Sequence, residues 1–148
     1  MADGAALVAE AREAAKAAYA PYSNFAVGAA VLLGDGRIVR GANFENASYG
    51  LSLCAETVAM AAVNMAGGLR DIVAIGVIGG IIGKDGIEGT APVGPCGRCR
   101  QILNEAAQMG GRDIEVFFSA ADGKTIERHK LSALLPYAFG PADLEIIQ

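Results

Sequence analysis

The order of helical and extended patterns along the chain predicts an α/β fold, a mixed sheet with helices packed on its faces. Three observations carry that expectation. The chain opens on an alanine-rich stretch with helical spacing, continues through two apolar runs separated by Gly34, Asp35 and Gly36, and later holds a nearly continuous apolar run from Ile72 to Ile78. At 148 residues and 53% hydrophobic content, it is sized for a single domain, 1–148, around one core.

Ala5 to Tyr19 repeats Leu7, Val8, Ala11, Ala15 and Ala18 at three- and four-residue steps, which predicts a helix ending before Pro21. Phe25 to Leu33 and Arg37 to Phe44 then read as the strands of a tight hairpin. A loop over Asn46 to Leu51 leads to a helix from Cys54 to Met65, stopped by Gly67 and Gly68. Ile72 to Ile78 suits a strand covered on both faces, whereas the glycine-rich Gly79 to Gly94 predicts no regular structure. Pro95 opens a helix from Cys96 to about Gln108, closed by Gly110 and Gly111. Strands over Asp113 to Ser119 and Thr125 to His129, then a short helix over Ser132 to Leu135, complete the series. No repeat and no low-complexity linker interrupts it.

Composition narrows the function. Lysine and arginine total 12 against 16 acidic residues, a net charge of −4, which argues against a nucleic-acid partner. The longest apolar stretch, Ile72 to Gly83, is 12 residues long, whereas a membrane-spanning helix needs about 20. Met1 to Glu10 shows no targeting signal, so the expected location is the cytoplasm. Three cysteines cannot all pair within one chain, and two of them form a Cys-x-x-Cys spacing that points to metal or redox chemistry.

Cys96 and Cys99 lie three apart on one face of an expected helix, and Cys54 stands at the start of another. Two helix N-termini would favour deprotonated sulfur. Three ligands leave a zinc ion one open position, the arrangement of a catalytic rather than a structural site. Two other readings stay open at this point: His129 could close a structural Cys3His site, or Cys96 and Cys99 could be a dithiol with Cys54 in the core. Glu56, two residues after Cys54, favours catalysis, because a carboxylate there can take a proton from water at the metal. Without a metal it would be a first-turn charge on the helix dipole.

Zinc deaminases combine three Cys or His ligands, a nearby Glu that is not a ligand, and a Pro-Cys-x-x-Cys pair. Here stand Cys54-Ala55-Glu56 and Pro95-Cys96-Gly97-Arg98-Cys99. The chain resembles the small homotetrameric cytidine deaminases with three cysteine ligands. The resemblance also covers Ala18 to Ala30 (AYAPYSNFAVGAA), Asn43 to Gly50 (NFENASYG), Cys99 to Leu103 (CRQIL), Leu134-Leu135-Pro136, Phe139-Gly140-Pro141 and Asp143-Leu144.

What it implies is a three-layer α/β/α sandwich with a mixed central sheet, one zinc per subunit on Cys54, Cys96 and Cys99, and Glu56 as the catalytic acid and base. It further implies that Asn43 and Glu45 bind the ribose, and that Phe25 and Ala55 belong to the substrate pocket. Phe139 would enter a neighbouring subunit's site to stack on the base, with Tyr49 at a subunit contact. The expected reaction is hydrolysis of free cytidine or 2'-deoxycytidine to the uridine product and ammonia. From the residues alone, Asn43 reads as a turn former and Phe25 as core rather than as substrate contacts.

Two departures from the family pattern stand out. Thr57 occupies the position where the family usually has an Arg that hydrogen-bonds ligand thiolates. Three thiolates on one zinc carry one negative charge in excess, which Arg98 or Arg100 is expected to offset. Gly79 to Gly94 is longer and richer in glycine than the usual connection. These departures keep other substrates in view, a modified pyrimidine nucleoside or a nucleoside antibiotic, and also a noncatalytic zinc-containing nucleoside-binding relative. Editing of polynucleotide bases is disfavoured by the acidic balance.

Overall fold

The computed structural model describes residues 2–146; Met1, Ile147 and Gln148, the ends of the expected 1–148 domain, lie outside the described residues. Helix α1 covers Gly4–Ala15, and the Asp3 carboxylate caps it by accepting from the Ala6 amide at 3.1 Å. It stops well short of Tyr19. Tyr19 instead joins an extended segment, donating its amide to the Asn43 carbonyl (3.0 Å) and accepting from the Glu45 amide (2.9 Å). That cross-connection outweighs the helical preference of Ala17 and Ala18.

Strand β1, Phe25–Leu33, has the expected bounds, and β2, Ile38–Ala42, pairs with it antiparallel through the Gly34 to Gly36 turn. Helix α2 runs Ala55–Met65 and helix α3 Gly97–Gly110, with left-handed Gly111 (φ 65°) ending the latter. Strands β5 (Glu115–Ser119) and β6 (Ile126–Lys130) and a short helix α4 (Leu131–Leu134) close the chain before a 3₁₀ turn at Pro141–Leu144.

The expectation for Gly79 to Gly94 is corrected. Strand β3 does not stop at Ile78 but continues to Gly83, and β4, Gly86–Glu88, folds back on it as an antiparallel hairpin. Glycine here follows from crowding: a Cβ on Gly80 would lie 2.6 Å from the Glu88 carbonyl oxygen. An apolar pattern broken by close backbone approach reads as a loop although it is a strand.

The sheet order is β2-β1-β3-β5-β6, with β4 beside the end of β3. Strands β3 and β5 are parallel and the other pairs antiparallel, so the sheet is mixed. Alternate residues of the strands build two cores. Ala30, Ala74, Ile78 and Phe117 meet Leu7, Val8 and Ala11 of α1 on one face. Ala29, Val31, Ile75, Val77 and Val116 meet Ala59, Val63, Leu103 and Ala106 of α2 and α3 on the other. The result is the expected α/β/α sandwich.

Candidate metal and catalytic site

Cys54 and Cys96 are the N-cap residues of α2 and α3, both extended (ψ 154° and 166°), and Cys99 sits in the first turn of α3. Their carbonyls start the two helices, accepting from Val58 and Arg100 amides at 3.1 and 3.0 Å, so their side chains stay beside the amide-rich helix ends. The three Sγ atoms lie within 4.8 Å of one another, with Cys54 and Cys96 Sγ 3.9 Å apart.

A tetrahedral zinc with bonds of about 2.3 Å needs sulfurs about 3.8 Å apart, so the thiols fit that ion without rearrangement of the helices. His129 is no member of this group. Its Nε2 lies 3.1 Å from Glu127 and its ring stacks on Phe118, with centroids 5.3 Å apart. The closed Cys3His alternative is therefore absent among the described residues, and the donor set leaves one tetrahedral position open.

Glu56 follows Cys54 in the first turn of α2 and is only 4% exposed. Burial pushes its carboxyl above the usual carboxylate range. Burial likewise raises Cys54 and, with the nearby Glu56 charge, Cys99. Desolvation also acts upward on Cys96, but hydrogen bonds from the backbone and thiol of Cys99 outweigh it and leave Cys96 lowered. A group made easier to protonate by its surroundings, next to an open ligand position, suits proton transfer in both directions.

Cys54, Glu56 and Cys96 border a cavity of about 360 Å³, also lined by Phe25, Asn43, Glu45, Ala55, Val93 and Gly94. That volume is in the range for a small organic ligand. Thus four of the expected pocket residues surround the same space as Cys54, Cys96 and Glu56. Asn43 continues the β1 ladder past the end of β2: its Oδ1 accepts from the Val27 amide (2.9 Å) and its Nδ2 donates to the Phe25 carbonyl (2.8 Å). Glu45 accepts from the amides of Tyr22 (3.0 Å) and Ser23 (3.2 Å) and from the Ser23 hydroxyl. The Ser23 bond holds its carboxyl below the ordinary value.

Ser23 was not singled out from the sequence, although its place beside Tyr22 in a turn that borders β1 is a usual one for a side chain that bonds nearby backbone. Its hydroxyl also accepts from the Phe25 amide at 3.1 Å. Tyr49 and Phe139 do not line this cavity; they are 74% and 60% exposed. Arg100 is turned from the sulfurs, donating Nε to the Pro95 carbonyl (2.9 Å) and Nη1 to the Leu134 carbonyl (3.0 Å), and Arg98 is exposed.

An α/β/α sandwich that brings three cysteine sulfurs and a buried carboxylate to two facing helix starts defines a zinc-dependent deaminase. A family model for the cytidine and deoxycytidylate deaminase zinc-binding region matches residues 1–110. A cytidine deaminase of Halalkalibacterium halodurans is 43% identical over 138 residues, spanning 93% of this chain and 95% of that protein. One from Mycobacterium tuberculosis is 43% identical over 134 residues, spanning 90% and 87%. A solved cytidine deaminase from Burkholderia pseudomallei superposes with a TM-score of 0.79 at 38% identity, covering 93% of this chain and 100% of that one. The chain belongs to the cytidine and deoxycytidylate deaminase family.

Proposed function

We propose that this chain, acting as one domain, hydrolyses the exocyclic C–N bond of free cytidine and 2'-deoxycytidine, releasing ammonia and the uridine product. The observation that carries this reading is Glu56, buried beside the three cysteines and facing the cavity that a nucleoside would fill. Cys54, Cys96 and Cys99 would hold one zinc, which supplies the Lewis acidity that yields a water-derived nucleophile at neutral pH.

Glu56 takes the proton of the attacking water and passes it to the ring nitrogen next to the amino-bearing carbon. It then takes the remaining proton of the newly added hydroxyl and delivers it to the amine, which leaves as ammonia while the carbonyl forms. The same carboxylate is base and acid, which its raised affinity for a proton supports. Phe25 and the Ala55 backbone flank the base, while Asn43 and Glu45 take the sugar hydroxyls. Glu45 meets that task already ionised and anchored by the Tyr22 and Ser23 amides.

The working form in this proposal is a cytoplasmic homotetramer in which Phe139 of one subunit stacks on the base bound by another and Tyr49 lies at the contact. The exposure of both rings supports that assignment. Among the described residues no helix is long and apolar enough to cross a membrane.

Ammonia release from zinc-loaded protein, measured over a panel of aminopyrimidine nucleosides, tests the function. Cytidine and deoxycytidine should give the highest kcat/KM. Tight binding of these nucleosides without turnover would contradict it and leave a zinc-containing binding protein.

A further inference from the structure

Cys99 is fully buried and Thr57 stands in the first turn of the facing helix, with its Oγ1 3.6 Å from Cys99 Sγ. The sulfur of a metal-bound cysteine carries no proton, so in the loaded site the hydroxyl must be the donor. Among the described residues, the hydrogen-bond partner of the Thr57 hydroxyl is Cys99 Sγ and not a backbone carbonyl of its own helix. The neighbouring cation is committed elsewhere, since Arg100 bonds the Pro95 and Leu134 carbonyls.

We propose that Thr57 is a positioning residue of the metal centre, its hydroxyl donating to the Cys99 sulfur and holding that ligand toward the ion. The inference rests on the zinc reading of the three cysteines. Burying a thiolate without a donor is costly, and a bond from outside the ligand set fixes both its charge and its direction. Thr57 supplies that bond without adding a positive charge. The excess negative charge of the three sulfurs is then met by the two helix N-termini at Cys54 and Cys96 rather than by a guanidinium.

Competition against a chromophoric chelator measures zinc affinity directly, and cobalt substitution reports the sulfur-to-metal charge-transfer band. Thr57→Val, nearly the same shape without the hydroxyl, should weaken zinc about 10–100-fold and shift the cobalt band. Thr57→Ser, which restores the donor, should return both toward wild type, whereas a purely packing role would favour valine. Because Thr57 is only half-buried, Thr57→Ala provides a second hydroxyl-free variant should valine disturb the helix. Wild-type affinity and an unshifted band in Thr57→Val or Thr57→Ala would overturn this role alone. A wild-type protein that binds neither zinc nor cobalt would overturn the metal reading and this role with it.

Discussion

The two faces of the sheet are packed alike but differ in what their helices bring to the sheet end. Against α1, strand and helix approach so closely that a Cβ on Gly28 would lie 1.9 Å from the Ala11 carbonyl oxygen. That face is sealed by Leu7, Val8, Ala11, Ala74, Ile78 and Phe117, with the buried Glu115 and Ser119 on the same side of β5 as Phe117. On the other face, α2 and α3 cover an aliphatic core over most of their length but meet the sheet end with Cys54, Glu56, Cys96 and Cys99. Close packing is common to both faces, since a Cβ on Gly41 would lie 2.5 Å from the Ala55 carbonyl oxygen of α2; the α2/α3 face in addition places ionisable groups where two helix starts can stabilise them. The difference shows how a site that is costly to bury can be tolerated: its surroundings are rigid because the rest of the domain is well packed.

Substitutions can break this contrast. On the α2/α3 face, Cys99→Ala should have the largest effect, removing the metal and with it measurable turnover, as followed by metal analysis and ammonia release. On the α1 face, Gly28→Val should force α1 from the sheet and cost about 1–3 kcal/mol in denaturant unfolding. Activity per folded molecule should persist, so a loss of kcat comparable to that of Cys99→Ala would blur the distinction.

Glu45→Gln sharpens the comparison inside the site. Weakening a charged hydrogen-bond acceptor should raise KM for cytidine about tenfold with little change in kcat, and less for a dideoxy sugar. The lowered carboxyl of Glu45 also has a pH consequence. Its contribution is fully present above the ordinary carboxylate value and is lost as pH falls through the depressed folded value, so KM should stay flat through mildly acidic buffer. Smallest of all, Arg40→Ala breaks the exposed pair with Glu10 and should change stability by less than about 1 kcal/mol.

The site was more legible than the chain around it. Cys54, Glu56, Cys96 and Cys99 could be read because their chemistry depends on residue type and short spacing within two helix starts. The hairpin of β1 and β2 was equally readable from Gly34 to Gly36 between apolar runs. The end of α1 was not, because Tyr19 leaves the helix for a bond to Asn43, far along the chain. The β3 extension and β4 were hidden by glycines that are required by close backbone approach. Nor could spacing reveal which side chain reaches Cys99. Arg98 and Arg100 adjoin the ligands in sequence, yet Thr57, from the other helix, supplies the contact, and only the crossing of α2 and α3 decides that.

Proton transfer by Glu56 at a site built by three cysteines can be checked by preparing Glu56→Gln, counting zinc per chain, and measuring ammonia release from cytidine. One zinc is expected in both proteins, with a fall in turnover of at least about a hundred to ten thousand fold in the variant. A zinc-loaded variant retaining about half the wild-type rate would contradict it.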